Sequence, residues 1–228
     1  MKNKHGYRWG RICTLAALVT LGLAPGAWAS TWCGENGLVR FSFVAGDSLV
    51  SVTETEAAEN GVTTVDVYAW LTDVAPVAQD AEAFLHLGGF ELQLVIDGAE
   101  AFILEQEFPV KVLNVGQGKG NIAAGLDPGQ RIRDGKAFLV RWKVMFQGRP
   151  ENVRFGLDGS NLQTCRTNEE CAANGTYALY VGSESSRQMH LLVGAGFVPA
   201  WLNPTGEPDL EPRTGKQDWR AAGVLAER

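Results

Sequence analysis

The sequence predicts an all-β, mainly antiparallel fold arranged as a β-sandwich, and three observations lead to it. Apolar and polar residues alternate with period two in one run after another. Turn-forming residues separate the runs. The strand-helix alternation that marks a parallel α/β sheet is missing.

The first run sets Val39, Phe41 and Phe43 against Arg40 and Ser42. Thr63, Val65, Val67, Ala69 and Leu71 then oppose Thr64, Asp66, Tyr68, Trp70 and Thr72. Phe90, Leu92, Leu94 and Ile96 oppose Glu91, Gln93, Val95 and Asp97. In the clearest run, Phe138, Val140, Trp142, Val144 and Phe146 oppose Leu139, Arg141, Lys143, Met145 and Gln147. Shorter runs follow at Val153, Phe155 and Leu157, at Tyr177, Leu179 and Val181, and at Met189, Leu191 and Val193. Each run gives a strand one apolar face and one mixed or polar face, as antiparallel sheets with a wet side require. Between the runs stand Gly46-Asp47, Asn60-Gly61, Asp97-Gly98, Asp127-Pro128-Gly129, Asp134-Gly135, Gly148-Arg149-Pro150 and Asp158-Gly159, all turn formers with a backbone reason.

One segment, 76–87, reads as a short helix. Pro76 opens it, Val77, Ala81, Phe84 and Leu85 share a face, and Gly88-Gly89 end it. The alternative is that residues 84–87 begin the next strand.

Residues 1–29 read as a secretory signal. Lys2, Lys4, Arg8 and Arg11 precede an apolar stretch from Ile12 to Ala24, and Ala27-Trp28-Ala29 supplies the small residues of a cleavage site. The apolar stretch is shorter than the roughly 20 residues that span a bilayer. Cleavage after Ala29 leaves a secreted chain, periplasmic, extracellular or at the cell surface, with a sandwich domain over 30–202. A tail over 203–228 follows. Its first part, 203–215, is polar and rich in Pro and Gly, and 216–228 reads as a short helix carrying Trp219 and Leu225.

The whole chain has a net charge of −6, with 20 basic and 26 acidic residues. Removing four basic residues with the signal leaves 16 − 26 = −10. That balance argues against a nucleic-acid partner and against anionic membrane surfaces, and the mature chain holds no run able to span a membrane. Cys33, Cys165 and Cys171 remain after cleavage. Cys165 and Cys171 are the favoured disulfide, with the polar Arg-Thr-Asn-Glu-Glu between them, and a bridge from Cys33 to one of them is the alternative.

Candidate chemistry is sparse, and no catalytic residue, cofactor site or metal site is assigned. Gly116-Gln-Gly118-Lys-Gly120 follows an apolar run, but the helix that would hold a phosphate is missing from the pattern after it, so a loop between strands is the reading. His86 and His190 are the mature chain's histidines, and neither has a nucleophile motif or zinc spacing around it. Glu105 and Glu107 share a strand face, as a pair of acid/base carboxylates would, and as an ordinary wet face also would. Calcium is the softest candidate: residues 158–161 and 207–211 offer oxygen ligands, without the register of a recognised loop. Tyr68 and Trp70, on the mixed face of their strand, are the candidate ligand-facing aromatics. Asn174-Gly175-Thr176 matches a glycosylation sequon.

The alternation from Gly88 to Asp97, Gly-Gly-Phe-Glu-Leu-Gln-Leu-Val-Ile-Asp, resembles an early strand of cohesin-like modules, themselves akin in fold to carbohydrate-binding modules. The run from Thr64 to Leu71 matches the strand before it, and Lys136 to Val144 a later one, so the resemblance covers about residues 62–160. Ile96-Asp97-Gly98 departs from the family's Tyr-Asp-Pro ending. The resemblance implies a jelly-roll sandwich without catalysis that binds a protein or a glycan. Three classes are therefore set against the structure: a protein-binding or assembly module, a carbohydrate-binding module using exposed aromatics, and an exported hydrolase.

Overall fold

The computed structural model describes residues 37–46, 48–74, 86–160, 178–182, 189–191 and 196–213. They form thirteen strands and, among the described residues, no helix. In chain order these are β1 (Leu38–Ser42), β2 (Val52–Thr53), β3 (Val62–Thr72), β4 (His86–Asp97), β5 (Phe102–Glu107), β6 (Val112–Asn114) and β7 (Asn121–Arg131). Then come β8 (Ala137–Gln147), β9 (Val153–Asp158), β10 (Ala178–Gly182), β11 (Met189–Leu191), β12 (Gly196–Val198) and β13 (Ala200–Leu202).

Two sheets result, and the all-β, mainly antiparallel sandwich expected from alternation is the one that forms. One sheet has the order β12-β1-β3-β8-β5. The larger runs β11-β10-β4-β9-β13-β2, with β7 beside β4 and β6 beside β7. Two pairs, β1 with β12 and β13 with β2, are parallel. The chain changes sheets between β12 and β13 at Pro199, a residue with no N–H to give to a ladder.

Turn chemistry sets the registers. Asn60 Oδ1 accepts the Val62 N–H at 3.1 Å, and Gly61, at φ +73°, starts β3 opposite the end of β8. Gly98 ends β4 at φ +98°, where a Cβ would lie 2.6 Å from the Asn152 carbonyl. Along the opposite edge of β4 from β7, β9 and β10 lie end to end: Asp158 registers with Gln93 and Ala178 with Glu91. The stretch 159–177 thus leaves and rejoins β4 two residues apart. Most of it, with Cys165 and Cys171, lies outside the described residues, as do Cys33, the signal segment and the sequon.

Three expectations are revised. Residues 76–85 of the proposed helix lie outside the described residues, while His86 and Leu87 open β4, as the alternative reading had it. Phe138 does not share the inner face with Val140. A register shift between Ala69 and Trp70 sets Ala69 opposite Val140 and Trp70 opposite Phe138, so Leu139 is the extra residue of a bulge and Phe138 turns outward. Asp127-Pro128-Gly129 does not end a strand either. It loops out within β7, where Gly89 pairs Gly125 and Leu87 pairs Gln130.

The core fills the space between the sheets. Val39, Phe41, Val67, Leu71, Trp142 and Val144 from one sheet meet Leu87, Phe90, Leu92, Ile122, Phe155 and Leu157 from the other, all fully buried. Phe155 stands nearly perpendicular to two rings, Phe43 at 5.6 Å and Phe146 at 6.4 Å. Trp142 sits in this core, as its apolar neighbours predicted, and its indole N–H donates to the Lys119 carbonyl at 3.0 Å. The Gly-rich loop is therefore a cover at the end of the core, and strand β7, not a helix, follows it.

Residues 203–213 are fastened to the sandwich. Asn203 is buried, accepts the Thr55 N–H at 2.7 Å and donates to the Pro150 carbonyl at 2.7 Å. The Trp201 indole donates to the Asp209 carbonyl, and Arg213 exchanges backbone bonds with Phe197 on β12.

Candidate ligand face

The outer face of the five-stranded sheet gathers Tyr68, Trp70, Glu105 and Glu107, four of the side chains singled out from sequence. Its rows follow from register. Arg40, Trp70 and Phe138 lie side by side on β1, β3 and β8. Ser42, Tyr68, Arg141 and Glu107 form the next row, Asp66, Lys143 and Glu105 the one after, and Thr64, Met145 and Phe102 the last. The period of two along β3 puts Tyr68 and Trp70 here because Val67, Ala69 and Leu71 are committed to the core.

At one end of the face the rings cluster. Phe138 lies 5.1 Å from Trp70 and 6.1 Å from Tyr68, tilted 44° and 46° to them. All three are half-buried. The Trp70 indole N–H is enclosed and finds no acceptor among the described residues, a condition that costs about 1–3 kcal/mol. Sequence reading missed Phe138. The signal was present in the Trp70 register, but the bulge that uses it leaves no mark in period-two alternation.

The middle of the face is a grid of ion pairs. Arg141 Nη1 donates to Glu107 at 2.7 Å, and its Nη2 and Nε donate to one Asp66 oxygen at 2.8 and 3.0 Å. Lys143 Nζ donates to Glu105 at 3.1 Å. The hydrogen bonds to Glu107 and then to Asp66 raise the Arg141 pKa above its ordinary value, so this cation stays charged at every working pH. Glu105 and Glu107 do share a face, and each is engaged by a cation rather than held as a free acid/base pair.

The remaining candidates fall elsewhere. His86 is half-buried at the start of β4, opposite Arg131 and Gly182. His190 registers with Val181 and so with Leu87, one step out of phase with His86, so the two histidines occupy alternate positions. Of the calcium candidates, Asp158 accepts the Gly159 N–H at 2.8 Å, Ser160 donates to Asn121 at 3.0 Å, and Asp209 pairs with Arg213. No cluster of three potential metal ligands occurs among the described residues. Surface concavities there lie at Glu207–Glu211 and between Ala99, Phe102, Phe146 and Pro150. No described helix is long and apolar enough to cross a membrane.

Among solved structures, two cohesin modules are similar to this chain. The seventh ScaB type I cohesin from Pseudobacteroides cellulosolvens aligns over 77% of this chain and 96% of its own, at 12% identity and a TM-score of 0.45. A cohesin module from a family 33 glycoside hydrolase of Clostridium perfringens aligns over 74% of this chain and 98% of its own, at 11% identity and a TM-score of 0.33. No protein-family model matches the sequence, and no curated protein does. At these identities and TM-scores the likeness transfers no residue, ligand or role to this chain.

Proposed function

We propose that this chain is an exported, non-catalytic binding module that takes a protein partner on the outer face of its five-stranded sheet. One observation supports this most. A broad strand surface joins a half-buried ring cluster, Tyr68, Trp70 and Phe138, to a fixed grid of paired charges on neighbouring rows. Aromatic anchors beside oriented polar groups are what protein interfaces use for affinity and register. A sugar platform asks instead for exposed rings lying in one plane, and these rings are tilted and partly covered. A hydrolase asks for a cleft that gathers a base and acids, and His86 and His190 stand out of phase on strands of the other sheet from the Glu105–Glu107 row.

The test places a photo-crosslinking residue at Tyr68, and at Glu54 beyond β2 as a control, and exposes each to the exported fraction of the source organism. A protein adduct is expected at Tyr68, absent at Glu54 and lost on adding Trp70→Ala. A glycan array run beside it is expected to stay blank. Array binding that Trp70→Ala removes, without a protein adduct, overturns the protein reading in favour of carbohydrate.

A further inference from the structure

We infer that Asn60-Gly61, the turn before β3, is a self-modifying site: in the folded chain Asn60 loses its side-chain nitrogen through a cyclic imide and becomes isoaspartate or aspartate. The reaction consumes only water. The Gly61 nitrogen gives up its proton and attacks Cγ of Asn60. A C–N bond forms, the Cγ–Nδ2 bond breaks, and ammonia leaves with that proton. Water then opens the imide at either carbonyl. One opening gives aspartate; the other routes the main chain through Cγ and gives isoaspartate. Nothing is oxidised or reduced.

The turn is built for the first step. Asn60 and Gly61 are both exposed, so water reaches the imide. Gly61 has no Cβ to crowd its own nitrogen, and at φ +73° it has no atom within 4 Å of where one would stand. Asn60 Oδ1 accepts the Val62 N–H at 3.1 Å. The ring which that bond closes contains Cγ and the Gly61 nitrogen, the two atoms that must join. The same bond gives a donor to the oxygen that gathers negative charge during the attack. One contact opposes the step: the Gly61 N–H donates to the Ala58 carbonyl at 2.8 Å. Both residues are exposed, so water replaces that bond when it opens.

The other described asparagines lack this combination. Asn203 precedes Pro204, whose nitrogen has no proton to give up. Asn121 and Asn152 precede the β-branched Ile122 and Val153, which crowd the attacking nitrogen. Asn114 is the closest comparison, because its Oδ1 takes the Gly116 N–H at 2.9 Å in the same kind of turn. There the attacking nitrogen would be that of Val115, again β-branched. The modification also reaches the sheet. Gly61 accepts the Gly148 N–H at 2.7 Å, and Val62 opens the β3–β8 ladder opposite Gln147. Isoaspartate inserts a backbone carbon just before that pairing, so the end of the ladder loosens.

The purified full chain is incubated in warm, mildly alkaline buffer and digested. It is then mapped by mass spectrometry, with electron-transfer fragmentation to tell isoaspartate from aspartate. Asn60 is expected to convert roughly tenfold faster than Asn114, Asn121 or Asn152, a barrier lower by about 1.4 kcal/mol. Asn60→Gln, whose longer side chain must close a larger ring, is expected to stay intact over the same period. Hydrogen exchange at the Gly148 N–H is expected to quicken as conversion proceeds, and not in Asn60→Gln. An Asn60 that stays intact in the folded chain while converting in urea overturns the inference, because the turn would then protect it. Conversion spread evenly over the described asparagines overturns it as well.

Discussion

Asn203 shows how much one side chain decides in this sandwich. It stands at φ +49°, a backbone region that asparagine tolerates and alanine does not. Its amide holds two strands' ends at once, through the Thr55 N–H and the Pro150 carbonyl, and its backbone bonds Thr53 and Asn152. Asn203→Ala removes both side-chain bonds, leaves the half-buried Thr55 N–H and the buried Pro150 carbonyl unpaired and imposes strain, so a loss of about 2–4 kcal/mol is expected in urea unfolding. Asn203→Gly removes the same bonds without the strain and is expected to lose about 1 kcal/mol less. Equal losses would show that the backbone conformation contributes nothing. From sequence this residue read as the first of a Pro/Gly-rich tail, because composition reports where turns occur and is silent on which turn holds the rest. Tyr68 and Trp70 were legible for the opposite reason. Their neighbours Val67, Ala69 and Leu71 form an unbroken apolar set, and alternation leaves no other face for them.

The strands themselves divide along the same line. Runs with strict alternation, β3, β4 and β9, could be read directly, because one face of each is committed to the core. Alternation misled at Phe138, where a bulge inserts Leu139 and reverses the facing of everything beyond it. It was also silent on β7, where Gly125 and Pro128 look like breakers, yet the flanking residues still pair with β4 on both sides of the looped-out turn. The stretch between β9 and β10 raises an expectation of its own. Asp158 and Ala178, on either side of it, register with β4 two residues apart, which leaves a local Cys165–Cys171 link free to form. Non-reducing peptide mapping is expected to find these two cysteines joined and Cys33 outside the bridge. A Cys33 linkage to either would mean that the excursion is tied to the start of the domain instead. The ion-pair grid on β5, β8 and β3 lends little to folding, since exposed pairs contribute at most about 1 kcal/mol each. Glu107→Gln should therefore leave the urea midpoint nearly unmoved while lowering the Tyr68 crosslinking yield. A drop in stability without a drop in crosslinking would assign the grid to the fold and not to the partner.

On the scale of the whole molecule, the proposed ligand face is the outside of the five-stranded sheet. The export reading bears on it, because loss of residues 1–29 raises the net negative charge from −6 to −10. Amino-terminal sequencing of the exported chain is expected to begin at Ser30, and an intact leader there would refute cleavage. Trp70→Ala is expected to lower the Tyr68 crosslinking yield, and Leu113→Lys, an exposed position on the larger sheet, is expected to leave it unchanged. Positions with no shared side chains have additive effects, so the double variant should lose what Trp70→Ala loses and nothing more. A Leu113→Lys variant that also lowers partner capture would extend the contact beyond the five-stranded sheet.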